Sequence, residues 1–324
     1  MIAITGGVGF IGSALLWKFN ELGRKDLLIV DQEAKGSAKW NNVKKHSFDT
    51  YLESDEFIER LEKKEFNGKI SAIFHMGACS DTTEMDKAFL RKNNSEYTER
   101  IARWAIQNKA YLCYASSAAT YGDGKLGFSD DDKLTPSLRP LNPYGQSKLD
   151  LDSWVLKNKL EKEITGFRFF NVYGPNEYHK GHMRSMAQKG FEQIRDSGKL
   201  RLFRSYKPEY PDGGQQRDFV YVKDVVDVML WFYQNPKIKG IYNLGRGVAE
   251  SWNELAEALF RAMSKPKNIE YIDMPASIKN QYQYFTEADL KKLKATGSPA
   301  KFQNLEQGVR DYVQNYLLKS NPYL

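Results

Sequence analysis

Short, almost wholly apolar runs punctuate the first half of the chain: residues 2–4, LLIVD at 27–31, AIFHMGA at 72–78, YLCYASS at 111–117 and ITGFRFFNVYG at 164–174. Each is bounded by polar or turn-forming residues and is too short for a helix, so each reads as a buried strand. Between them, apolar positions recur at helical spacing over 10–22, 54–64, 85–108 and 143–160. Buried strands that alternate with helices predict a Rossmann-like α/β fold, a doubly wound parallel sheet with helices on both faces. Crossovers in such a sheet are right-handed, and a ligand lies beyond the C-terminal ends of the strands.

The rhythm loosens after Gly174. A helix is expected near 183–196, followed by the Pro- and Gly-rich stretch YKPEYPDGGQQ at 206–216, which reads as a surface loop. A strand near 219–222, a helix over 224–234, a strand at GIYNLG and a helix over 251–263 come next. The expected organisation is a Rossmann domain over 1–174 and a smaller C-terminal α/β lobe over 175–324, with elements at about 217–250 returning to the main domain.

Composition narrows the partners. With 324 residues, 41% hydrophobic and 27% charged, the chain has the make-up of an ordinary globule with a sizeable core. Its net charge of +7 is spread along the chain, and Lys44-Lys45 or Lys291-Lys292 read as solvated faces. That argues against nucleic acid and suits an anionic small molecule. No apolar run approaches the ~20 residues of a membrane span. Cys79 and Cys113 sit in or beside strand patterns and read as buried free thiols. The first strand starts at Met1, which leaves no secretion signal, so a reduced, cytoplasmic protein is expected. His46, His75, His179 and His182 show no metal-ligand pattern.

Three motifs carry chemistry. Gly6, Gly9 and Gly12 lie between the first strand and the first helix, where backbone N–H groups and a helix N-terminus can cradle a pyrophosphate. Asp31 ends the second strand and can accept hydrogen bonds from ribose hydroxyls, which suits NAD. Lys35, Lys39, Lys44 and Lys45 follow closely, and one of them could instead pair with the 2′-phosphate of NADP, so these residues leave both cofactors open. In NPYGQSK, Tyr144 and Lys148 are four apart and share one helix face, with Asn142 as the N-cap and Pro143 at the first helical position. A nearby ammonium and a cationic nicotinamide ring are expected to lower the phenol's pKa, making Tyr144 an acid/base. Ser117, at the end of the YASSAATYG strand, could hydrogen-bond the reacting oxygen, with Ser116 and Thr120 as competitors.

Together and in this order, these motifs resemble the extended short-chain dehydrogenase/reductase family, and RDFVYVKDVVD at 217–227 and YNLGRG at 242–247 extend the likeness over nearly the whole chain. Ala118 and Ala119 stand where that family's sugar dehydratases carry an acidic pair. The strings FHMGACSDTTEMD, GFRFFNVYGPNEYHKGHM and YQYFTEADL are most similar to the nucleotide-sugar epimerases that invert C6″ of an ADP-linked heptose, a precursor of the lipopolysaccharide inner core. The resemblance implies transient oxidation of the carbinol and return of hydride from bound NADPH, with NAD possible. It implies a homo-oligomer and an ADP-sugar substrate; a UDP-hexose 4-epimerase is the alternative.

Residue by residue, the resemblance implies catalytic roles for Tyr144, Lys148 and Ser117, and makes Lys180 a second acid/base. It places the cofactor at Gly6, Gly9, Phe10, Ile11, Gly12, Asp31, Gln32, Lys39, Met76, Gly77, Ala78, Cys79, Ser80, Asn93, Lys148, Val172 and Lys180. It places the substrate at Asn171, His182, Lys189, Phe203, Arg204, Ser205, Tyr206, Arg217 and Tyr282, with Arg217 and Tyr282 on the ADP portion and Lys39 on a 2′-phosphate. Met76, Gln32, His182 and Lys189 depart from the residues usual in that family.

Overall fold

The apolar runs assemble side by side. In the computed structural model, which describes residues 1–32, 36–279 and 282–324, the strands in chain order are β1 (Ile2–Thr5), β2 (Leu27–Asp31), β3 (Thr50–Glu53), β4 (Ala72–His75), β5 (Tyr111–Ser117), β6 (Thr165–Phe169), β7 (Asn171–Tyr173), β8 (Leu200–Phe203), β9 (Gln216–Tyr221), β10 (Gly240–Leu244), β11 (Ala249–Ser251) and β12 (Ile269–Ile272). Seven of them form one parallel sheet in the order β10-β6-β5-β4-β1-β2-β3. The order reverses beside β1, the switch point where an open α/β sheet binds its ligand.

The principal helices are α1 (Phe10–Glu21), α2 (Ser54–Glu62), α3 (Lys87–Leu90), α4 (Tyr97–Gln107), α5 (Pro143–Lys157), α6 (Met186–Ser197), α7 (Val222–Gln234) and α8 (Trp252–Ala262). Strand side chains alternate between two cores. Ile2, Ile4, Phe74 and Cys113 pack with α1 and α7 through Leu15, Phe19, Val226 and Met229. Ala3, Leu28, Ile73 and Leu112 pack with α2, α4 and α5 through Phe57, Leu61, Ile101, Ala105 and Val155. Burial on both faces is why these strands read as continuous apolar runs. A third core joins α6, α8 and the helix Leu305–Tyr312 around Phe191, Leu202, Phe219 and Leu259.

Several elements differ from the sequence reading. The run 164–174 is two strands: at Phe170 the chain makes a tight turn, with Val172 N–H donating to Phe170 C=O at 2.9 Å. It thereby leaves the large sheet for a small one ordered β11-β9-β7. The helix expected over 85–108 is α3, a π-helical stretch over Arg91–Glu96 and α4. Strand β3 buries only Leu52, and β12 is half-buried throughout, so neither shows an apolar run. No helix among the described residues is long and apolar enough to cross a membrane.

Candidate active site

A cleft of about 1320 Å³ opens at the C-terminal ends of β1, β4 and β5 and extends toward α6 and α8. That exceeds the ~300–1,000 Å³ of an ordinary small-molecule pocket, leaving room for a dinucleotide and a second ligand beside it.

The glycine turn forms its floor. Gly6 has φ +63°, a left-handed conformation that favours glycine, and its carbonyl accepts from Gly9 N–H at 2.9 Å. A Cβ at Gly12 would lie 2.1 Å from the Gly6 carbonyl oxygen, so α1 could not seat against the turn with any larger residue there. Gly9 is the N-cap of α1 and offers no side chain to fill the space before the helix. At the end of β2, buried Asp31 accepts from Val8 N–H at 3.1 Å, from Gln32 N–H at 2.8 Å and from Lys39 Nζ at 2.6 Å. A tight glycine cradle at a helix N-terminus, next to a buried carboxylate and an ammonium, fits a dinucleotide. Lys35 lies outside the described residues.

Helix α5 delivers the next group. The Asn142 side chain accepts from Gly145 N–H at 2.7 Å, and Pro143 starts the first turn. A Cβ at Gly145 would sit 2.8 Å from the Ala119 carbonyl, so glycine lets α5 approach the end of β5 closely. That brings the Tyr144 phenol beside the Ser117 hydroxyl, which favours its ionised form. The competitors point elsewhere: Ser116 donates to Asp152 at 2.9 Å, and Thr120 donates to the Ser117 carbonyl at 2.8 Å.

The protein's own groups act on the phenol in two directions. Burial pushes the Tyr144 pKa above its ordinary value, and only the Ser117 hydrogen bond opposes it. The Lys148 Nζ donates to the Ala115 carbonyl at 2.8 Å, and burial brings its own pKa down to about 8.

Lys180 enters from a 3-10 segment, Tyr178–Met183, with its Nζ 5.6 Å from the Phe10 ring at the start of α1. Burial lowers its pKa, and the Glu177 carboxylate opposes that. Nearby, Arg217 is buried with its guanidinium 5.2 Å from the Tyr282 ring and 5.5 Å from the Trp252 ring, and burial lowers its pKa. It donates to the Gln216 carbonyl at 2.8 Å. A buried guanidinium flanked by aromatic faces suits the phosphates and base of a nucleotide.

The cleft is lined by Gly6, Gly9, Phe10, Ile11, Gly12, Asp31, Gln32, Lys39, the run Met76 to Ser80, Asn93, Ser117, Tyr144, Lys148, Asn171, Val172, Lys180, His182, Arg217 and Tyr282. The structure does not bring Lys189, Phe203, Arg204, Ser205 or Tyr206 into this lining. Lys189, in the first turn of α6, reaches back to the His182 carbonyl at 3.0 Å. Arg204 and Ser205 are drawn to Asp212, and the Tyr206 phenol donates to Asp273 at 3.0 Å. Phe203 stops short, with its ring 6.2 Å from that of Tyr282. Half-buried Cys79 faces the cleft instead of a core, held by Asn94 on both its N–H and its C=O.

The sequence reading missed Trp252. Its indole N–H donates to the Tyr282 phenol at 2.8 Å, fixing that ring against Arg217. A usable signal existed: SWNE is a capping box, which puts Trp252 in the first turn of α8.

The chain is similar to known proteins along its length. The family described as "NAD dependent epimerase/dehydratase family" matches residues 2–245. The chain is 48% identical over its full length to the ADP-L-glycero-D-manno-heptose-6-epimerase of Nitratidesulfovibrio vulgaris strain DP4, covering 100% of both chains. It is 47% identical to the same-named protein of Fusobacterium nucleatum, again covering 100% of both. Among solved structures, the Helicobacter pylori ADP-L-glycero-D-manno-heptose-6-epimerase superposes with a TM-score of 0.78 at 27% identity, over 97% of this chain and 95% of that one.

Proposed function

This chain belongs to the NAD dependent epimerase/dehydratase family, and we propose that it inverts C6″ of an ADP-linked manno-heptose, with NADP as its dinucleotide. The observation that carries the reading is the pair of proton-handling groups in one cleft, the Tyr144 phenol from α5 and the Lys180 amine from the 178–183 segment, both beside the glycine cradle. Oxidation alone needs one such group; inversion needs one on each side of the reacting carbon. The full-length relatives named for this epimerisation support the substrate.

The residues divide the work. The backbone of Gly6 to Gly12 would hold the pyrophosphate, Asp31 and Lys39 would meet the adenosine ribose, and Lys148 would hold the nicotinamide ribose, all of them lining the cleft. When bound, the dinucleotide supplies a reversible acceptor for the hydride of the carbinol carbon. One of Tyr144 and Lys180 removes the hydroxyl proton, leaving a planar ketone, and Ser117 donates to its oxygen. The ketone turns in the cleft, and the other group returns a proton to the oxygen after reduction on the opposite face. Arg217, Tyr282 and Trp252 grip the ADP portion while the sugar turns.

Assays with ADP-heptose and UDP-galactose in parallel test the substrate: turnover of the heptose only is expected, and preference for the hexose overturns it. Deuterium at C6″ is expected to stay in the product; washout into solvent contradicts internal return. The cofactor is tested by Lys39→Ala. Loss of a charge-assisted bond to a 2′-phosphate, about 1.5–3 kcal/mol, weakens NADP binding by about ten- to a hundredfold and leaves NAD nearly unaffected. Equal weakening of both would place Lys39 solely as the partner of Asp31, a role its 2.6 Å contact also serves.

A further inference from the structure

The loop that carries Lys180 follows a path its backbone does not favour by itself. Asn176 is a non-glycine residue at φ +77°, and Gly174 and Gly181 also have positive φ, at +138° and +53°. Such a path holds only when side chains tie it. One tie is external: Asn42 donates to the Val8 and Asn176 carbonyls at 2.9 and 3.0 Å, and Asn176 donates to Ser13 at 2.9 Å. The other is internal and carries a charge. Buried Glu177 accepts from Gly174 N–H at 3.2 Å, from Ser185 N–H and from the Ser185 hydroxyl at 2.7 Å, closing the loop at its two ends. Its backbone carbonyl accepts from Lys180 N–H at 3.0 Å.

We infer that Glu177 is a positioning residue for the inversion: it clasps the 174–185 loop from inside and holds the Lys180 amine at the cleft. The inference rests on the acid/base role proposed above for Lys180. The carboxylate is suited to the task because its partners are all donors, which an acceptor-only group satisfies and an amide does not. Glu177 also stands against the burial that pushes the Lys180 pKa down.

The other groups near the amine are identifiable. His179, on the same segment, is brought down to about 4 by burial and by Lys39 and Lys180, so it is neutral over the working range. Asp31 and Lys39 lie across from it, paired to each other. His182 is turned to Asp81 at the cleft mouth, 3.6 Å away. Glu177 itself is faced by the Tyr178 and Tyr312 phenols and by Lys189.

Two readouts test this on the full chain. Turnover against pH gives kcat and KM. Competitive acetylation with dilute acetic anhydride, followed by peptide mass spectrometry, reads the titration of the Lys180 amine without turnover. In Glu177→Gln the Lys180 titration is expected to move to lower pH, kcat to fall by about 10- to 100-fold, and KM to change little. Glu177→Asp, which keeps the charge, is expected to restore the titration and part of kcat.

A fall in kcat with the Lys180 titration unmoved would mark Glu177 as merely structural and overturn the inference, as would wild-type behaviour in both readouts. Should Glu177→Gln not fold, Glu177→Asp and Ser185→Ala decide, since unchanged kcat in both also overturns it. Lys180→Met with undiminished kcat sinks the role of Lys180 instead, and the acetylation profile still reports whether Glu177 governs the amine.

Discussion

Replacing Tyr144 with Phe is expected to lower kcat by about a thousandfold while leaving the fold and dinucleotide binding intact. General acid/base groups contribute about 10²–10⁴ in rate, and a half-buried phenol beside Ser117 belongs in that range. The ring stays, so the packing of α5 against the end of β5 is kept, and Gly145 still meets Ala119. Ser117 also stays occupied, because its oxygen accepts from Ala119 N–H at 3.1 Å. The melting temperature therefore changes little, and NADP titration gives a dissociation constant near that of the wild type. A kcat within tenfold of the wild type would remove Tyr144 from proton transfer.

The largest stability effect is expected at a residue that touches no ligand. Asp152 lies on the same face of α5 as Tyr144 and Lys148, at successive four-residue steps. Its carboxylate pairs with Arg168 at 2.8 Å, with both side chains at 0–1% exposure, and accepts from Tyr114 at 3.0 Å and Ser116 at 2.9 Å. Asp152→Ala leaves the guanidinium buried beside only the Tyr121 and Thr135 hydroxyls. Breaking a buried pair from one side costs about 3–5 kcal/mol, because an uncompensated charge remains inside. Urea unfolding should show that loss as a lower midpoint with an unchanged slope. A loss under about 1 kcal/mol would mean that water or a rearranged side chain meets Arg168. Functional loss should accompany it, since the network ties β5, β6 and α5 together directly beneath Ser117 and Lys148.

Legibility followed the range of the forces involved. The glycine turn, the caps of α5 and the five apolar strands depend on local backbone geometry and on burial of both strand faces. Those leave periodic or positional marks in the residues themselves. The half-exposed strands β3 and β12 leave no such mark. Phe203 to Tyr206 follow the resemblance in order yet sit outside the cleft, because Asp212 and Asp273 compete for their polar groups. The surroundings of Lys148 were hidden for a related reason. Spacing puts Lys148 on the same helix face, but the Ala115 carbonyl, from a strand far along the chain, takes its ammonium.

By itself, then, the sequence determined the doubly wound sheet, the dinucleotide cradle and the helix that presents Tyr144, each marked by periodicity or turn chemistry that is local in the chain. The tertiary structure alone decided which serine meets the phenol, that Trp252 and Tyr282 enclose Arg217, and that Glu177 ties down the Lys180 loop. These depend on distances between segments remote in sequence and on the desolvation of charges inside the packed cleft. Neither quantity exists until the chain has folded.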